Sequence, residues 1–363
     1  MPNNKRLEMF ADVTSFCNRG CSCCQASANT CDYHHMARET VDLLTERIKE
    51  SSYEKIIMYV AGGEPLLYPD LIYFFNKLDK EAGEKINLIR LETSGLEASA
   101  QNEVSTLQEI LKQAWLEKII FTISFHLFQK NFPERLENML KMLLEKNYPY
   151  RGVVIKILLA QENFQKTFAC LRKVFLKLAK IGLFIKPWYL PTDETSINQK
   201  LFHLAASHIE HKDKGAEFYE TALLCDCVYL AYTYDLKPKL IFVNANTFNP
   251  WRGRAKNLKT INPFYDITGC SALKRGFTEP ATDYLAISSR GQYFLHECLP
   301  GNPPFILGQL ENMPLRQAAQ MTEAISSELL RRILADQSRF NKHKDLCKIC
   351  QRQAAQMGIE ITS

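Results

Sequence analysis

The sequence lacks any apolar run approaching the roughly 18 residues that a membrane span needs. Its first ten residues, MPNNKRLEMF, lack the apolar core of a signal peptide. A basic arm is also missing. The 45 Lys and Arg residues outnumber the 40 Asp and Glu residues by only five over 363 positions, so nothing favours nucleic-acid binding. Internal repeats and low-complexity tracts are absent. These absences predict a cytoplasmic chain in a reducing compartment, with no membrane or nucleic-acid partner.

What the chain does have is cysteine. It carries twelve, where a reducing compartment disfavours disulfides, so metal or catalytic use is the better explanation. They are clustered. Cys17, Cys21, Cys23, Cys24 and Cys31 lie together, Cys225 and Cys227 form a pair, and Cys270, Cys298, Cys347 and Cys350 make a later set. Only Cys170 stands alone.

With 46% hydrophobic residues, the chain can bury a substantial core, enough for one large α/β domain plus a smaller module. Strand-like runs occur at Leu7 to Thr14, Lys55 to Val60, Ile86 to Glu92, Lys118 to Phe125, Val153 to Leu159 and Leu183 to Leu190. Helical patterns such as DLIYFFNKLDKEAG and NFQKTFACLRKVFLKLAKIG lie between them. Serial β-α units predict parallel strands with right-handed crossovers. A closed or partial barrel and an open doubly wound sheet both fit.

Beyond that, residues 192–235 read as helical and then mixed. Residues 237–270, rich in Pro, Asn and Thr, read as a connecting segment. A hairpin is expected from DYLAIS and QYFLHEC around Ser289-Arg290-Gly291, followed by a helix from about Leu315 to Asp336.

Cys17-x3-Cys21-x2-Cys24 sits just after the first strand. Ligands gather at the carboxyl ends of strands in such sheets. Three thiolates can each take one iron of a cubane and leave the fourth iron to an exogenous chelate. Zinc is the competing occupant: structural zinc takes four protein ligands, and Cys23 or Cys31 supplies the fourth by count.

The spacing CxxxCxxC resembles the signature of the radical S-adenosylmethionine (SAM) superfamily. A second landmark, Gly62-Gly63-Glu64-Pro65, follows at the end of strand two. Glycines let the backbone approach a ligand, and a carboxylate satisfies an ammonium. The resemblance implies a partial (β/α)6 TIM-type barrel of class α/β over residues 1–192. It implies a [4Fe-4S] cluster on Cys17, Cys21 and Cys24, with SAM held through its amino group by Gly62, Gly63, Glu64 and Pro65. Ser94, after strand three, is expected near the SAM ribose. Ser124 and Lys156 are expected near its carboxylate, although each equally suits a structural hydrogen bond. His126 is a candidate catalytic group against the commoner role of a satisfied histidine. One departure is Cys23, which stands where the family usually places an aromatic.

Cys270, Cys298, Cys347 and Cys350 resemble the ligands of the small auxiliary domain called twitch, or its larger relative SPASM. A segment Gly253-Arg254-Ala255 upstream fits the same pattern. Residues 266–363 are therefore expected to form a small C-terminal domain with a second [4Fe-4S] cluster, and residues 193–265 a substrate-cleft or linker region. A zinc site again competes for the four cysteines. Cys225 and Cys227 are candidate thiol hydrogen-atom donors, against the reading of two unligated thiols.

The implied activity is reductive cleavage of SAM, hydrogen abstraction and net oxidation, crosslinking or epimerisation of a substrate. A ribosomally made peptide and a small natural-product precursor compete as substrate. Few residues precede strand one, so no leader-binding domain is expected at that end. The 193–265 stretch is long enough for a wide cleft, which favours the peptide. A reductant such as flavodoxin or ferredoxin is the implied partner. The distant competitor is a non-catalytic zinc protein.

Overall fold

The computed structural model describes residues 6–21, 24, 28–125, 131–145, 153–159, 228–234, 239–247, 282–294, 306–335 and 355–356. Two compact units divide the chain, Met1–Leu91 with Asn249–Ser363, and Glu92–Phe248. The fold is mixed α/β and built on parallel strands.

In the first unit, β1 (Arg6–Thr14) runs parallel to β2 (Lys55–Gly62), and β2 runs parallel to β3 (Ile86–Thr93). Helix α1 (Arg38–Glu50) connects the first pair and α2 (Leu71–Ala82) the second. Leu7, Met9, Ala11 and Val13 alternate along β1 and are all fully buried. Met58, Val60 and Leu91 join them, with Val41, Leu44 and Ile48 of α1. Leu71, Phe74, Phe75 and Leu78 recur at helical spacing and put one stripe of α2 into this core. The other β1 positions are polar or aromatic. The Tyr59 hydroxyl donates to Glu8 Oε2 at 3.2 Å and the Arg6 guanidinium to Glu8 Oε1 at 2.9 Å. Phe10 stacks on Tyr59, and Arg90 lies over the Tyr59 ring.

The expected hairpin is present. Strands β8 (Thr282–Ile287) and β9 (Gln292–Phe294) pair antiparallel around Gly291, whose φ of 73° is the left-handed conformation the turn needs. β10 (Ile306–Gln309) pairs antiparallel with β9, and α5 (Leu315–Ala335) follows, close to the expected bounds. The pattern did not announce that β8 would lie parallel beside β1, with Glu8 opposite Tyr284.

The second unit holds α3 (Gln101–Ile110), β4 (Ile119–Phe125), α4 (Phe132–Glu145) and β5 (Val153–Leu159). β4 and β5 are parallel. β6 (Val228–Tyr234) and β7 (Lys239–Thr247) are antiparallel to each other, and β7 runs parallel to β5. The connecting segment expected from residue 237 therefore contains a strand. Its apolar run Leu240–Val243 pairs with a partner far away in sequence, which local composition does not reveal. The expected sixth barrel strand, Leu183 to Leu190, lies outside the described residues.

Candidate functional site

The thiol loop begins where β1 ends, and the sheet itself fixes it. Thr14 pairs with Gly62 across β1 and β2. The Gly63 amide then donates to the Thr14 carbonyl at 2.6 Å, and the Glu64 amide to the Phe16 carbonyl at 2.8 Å. The backbones run so close that side chains are excluded. A Cβ on Gly62 would lie 2.1 Å from the Thr14 carbonyl oxygen, and one on Gly63 would lie 1.9 Å from that of Phe16. Gly62 also holds a φ of 120°, which other residues rarely adopt. Both glycines are therefore demanded by the close approach of the two motif segments.

The loop returns along β1 as a strap. Phe16 bridges to Asn29 and Thr14 to His35. The Thr14 hydroxyl hydrogen-bonds His35 Nδ1 at 2.8 Å and accepts from the Phe16 amide at 2.9 Å. Phe16 meets Tyr33 edge to face, His35 stacks on Tyr68, and the Tyr68 hydroxyl donates to the Met36 carbonyl. Burial lowers the His35 pKa, and Asp70 opposes the shift. Arg290, at the tip of the β8–β9 hairpin, contacts His34 Nε2 in this strap.

Within the loop, Cys17 is buried, while Cys21 and Cys24 are half-buried. Gly20 takes a left-handed φ of 61°, and the Cys24 amide donates to the Cys21 carbonyl at 3.2 Å. The Cys17 thiol is pushed up to about 12 from 9.0. Burial is the main cause, followed by the Glu64 carboxylate, with smaller additions from Cys21 and Cys24. A hydrogen bond from the Arg19 amide pulls the other way. A buried thiol raised by a carboxylate and by two neighbouring thiols of its own loop belongs to a donor set that a cation would complete. That chemistry fits an iron-sulfur cluster. Among the described residues, no three His, Cys, Asp or Glu side chains are already gathered closely enough to hold a metal ion.

Glu64 and Arg19 are both buried, with side chains 1% exposed, and Arg19 Nη2 lies 3.9 Å from Glu64 Oε2. Glu64 also caps the short turn Pro65–Leu67 by accepting from the Leu66 amide at 3.3 Å. Sequence reasoning missed Arg19, because a charged residue in a loop reads as exposed. Its position inside the Cys17–Cys21 spacing was the one available signal.

The other expected site residues fall as follows. Ser94 is half-buried at the end of β3, beside Gly95 with its φ of 87°. Ser124 on β4 and Lys156 on β5 are direct register partners in adjacent parallel strands. His126, Cys225, Cys227, Cys270, Cys298, Cys347 and Cys350 lie outside the described residues.

Residues 12–109 match the family model described as the Radical SAM superfamily, a stretch that contains both the thiol loop and the Gly62–Pro65 segment. No curated protein matches the chain. Among solved structures it is similar to native anSMEcpe with bound AdoMet and the Cp18Cys peptide. That similarity has 12% identity, covers 97% of each chain, and has a TM-score of 0.47. It is also similar to BtrN in complex with AdoMet and 2-DOIA, at 12% identity over 94% of this chain and 90% of that one, with a TM-score of 0.40. No helix among the described residues is long and apolar enough to cross a membrane.

Proposed function

We propose that this chain is a radical SAM enzyme that oxidises, crosslinks or epimerises its substrate, with a ribosomally made peptide as the preferred substrate class. The observation that carries the reading is the clamp between the two motifs. Gly63 and Glu64 donate their amides to the Thr14 and Phe16 carbonyls, and the Glu64 carboxylate is close enough to Cys17 to raise its thiol. When bound, a [4Fe-4S] cluster with one open iron supplies the electron that splits SAM into methionine and a 5′-deoxyadenosyl radical.

Cys17, Cys21 and Cys24 hold the cluster. Gly62 and Gly63 give the ligand access to backbone, and the Glu64 carboxylate takes the SAM ammonium. Ser124 and Lys156, adjacent in register, serve the SAM carboxylate, and Ser94 the ribose. Cys270, Cys298, Cys347 and Cys350 would hold a second cluster, which would supply an electron acceptor for a net oxidation. Flavodoxin or ferredoxin is the reductant. The length of the 193–265 region supports a peptide-sized cleft.

Anaerobic reconstitution tests the reading. The protein should turn brown and release 5′-deoxyadenosine from SAM and dithionite. Replacing Cys17, Cys21 and Cys24 together with Ala should abolish release. Cys347→Ala should keep SAM cleavage and lose product. A colourless, zinc-loaded protein that releases no 5′-deoxyadenosine sinks the proposal. Turnover of a sugar or aminocyclitol, with none of any candidate peptide, moves the substrate to small natural-product precursors.

A further inference from the structure

Glu64 has a place in the reaction proposed above, but its buried partner Arg19 has none. Both side chains are 1% exposed. A guanidinium stays charged at any working pH, so burying it requires a nearby anion. At 3.9 Å this contact is ionic rather than a hydrogen bond. The same residue reaches the thiols by a second route, since its amide hydrogen-bonds the Cys17 sulfur. One residue of the thiol loop therefore sets a fixed positive charge beside the Glu64 carboxylate, whose own amide is bonded to the Phe16 carbonyl next to Cys17.

We infer that Arg19 is a tuning and positioning residue, whose buried guanidinium offsets the Glu64 carboxylate and raises the reduction potential of a cluster held by Cys17, Cys21 and Cys24. The inference rests on the proposed cluster and adds to it. Three thiolates and Glu64 contribute four negative charges to a poorly solvated loop. An electron added there meets repulsion that water screens weakly. Reduction potential follows local net charge and hydrogen bonds to sulfur. A fixed cation in this position makes the electron easier to add. It also keeps Glu64 aimed at the loop before the SAM ammonium arrives.

The test is a potentiometric titration of the reconstituted full-length protein without SAM, with the reduced cluster read by EPR. Arg19→Met should shift the midpoint down, while Arg19→Lys, which keeps the charge, should stay close to the parent. Glu64→Gln should shift it up, and the Arg19→Met/Glu64→Gln double variant should return near the parent. SAM affinity, read by calorimetry, should weaken several-fold in Arg19→Met and recover in Arg19→Lys. Unmoved midpoints in Arg19→Met and Glu64→Gln overturn the inference. So does an equal shift in Arg19→Met and Arg19→Lys. An Arg19→Met protein that folds, by circular dichroism, but assembles no cluster also overturns it, because the role is then scaffolding. If the parent assembles a cluster and cleaves SAM while the variants show no shift, only this inference falls. If the parent assembles none, the proposed function falls with it.

Discussion

A Cβ on Gly63 would sit 1.9 Å from the carbonyl oxygen of Phe16, the residue that immediately precedes the first cysteine of the thiol loop. The obstacle is backbone held in a bridge and a sheet pairing, not a side chain that can rotate away. Gly63→Ala should therefore destabilise the protein by at least about 2 kcal/mol, the upper part of the usual cost of overpacking. It should also displace the loop that carries Cys17. The check is a thermal unfolding curve together with iron content after reconstitution. Both should fall, iron more steeply. A variant with parental melting and full iron loading would show that the clamp is unnecessary.

Cys17 should be the slowest thiol of its loop to react in the cluster-free protein. Its thiol is pushed from 9.0 up to about 12, chiefly by burial and then by the Glu64 carboxylate. The neutral form therefore prevails at pH 8, and the thiolate is the nucleophile. Alkylation mapped by mass spectrometry should find the exposed Cys31 modified first and Cys17 last. The same shift fixes the direction of a stability change. Between pH 9 and about 12 the folded chain keeps a proton that the unfolded chain gives up. The cluster-free protein should lose stability as pH rises through that window. Early alkylation of Cys17 at pH 8 would contradict the buried environment.

The two motif segments stand out in the sequence because their residue types and spacing are rare: Cys17, Cys21 and Cys24 after one strand, Gly62 to Pro65 after the next. Strands β1 to β5 were legible for a similar reason, since apolar alternation and short runs are local signals. What stayed hidden was non-local. β7 was read as a connection because its pairing with β5 is remote in sequence. The parallel seat of β8 beside β1 joins segments at opposite ends of the chain. Arg19 was passed over because its burial depends on Glu64, which arrives only when β2 aligns with β1. The strap from Asn29 to His35 carries no motif, and its course is set by Thr14 and Phe16.

Thr14 gives a direct test of that strap. Its hydroxyl serves both His35 Nδ1 and the Phe16 amide, and the residue is fully buried. Thr14→Val keeps the shape and removes both bonds, so it should cost about 1–3 kcal/mol by leaving buried partners unsatisfied. Limited proteolysis should then cut within residues 28–36 sooner than in the parent. Thr14→Ser, which keeps the hydroxyl, should restore most of the protection. Equal cutting in both variants would show that the hydroxyl is not what holds the strap.

A second ion pair organises the start of the other unit. Arg135 of α4 reaches Glu97 through Nη2, with side chains 8% and 33% exposed. The Arg135 carbonyl also accepts from the Leu96 amide at 3.1 Å, and Gly95 packs against the Arg135 backbone. This junction holds the segment after β3, where Ser94 lies. Removing one partner of a buried pair costs more when the charge left behind is the more buried one. Arg135 is the more buried partner. Glu97→Gln should therefore destabilise by about 3 kcal/mol and Arg135→Met by about 2 kcal/mol, below the range for a fully buried pair because Glu97 keeps access to water. The double variant should cost less than the sum, since neither change then strands a charge. Urea unfolding midpoints measure all three. Strict additivity would mean that the two side chains do not interact in solution, and the segment carrying Ser94 would then owe its position to the Arg135 backbone alone.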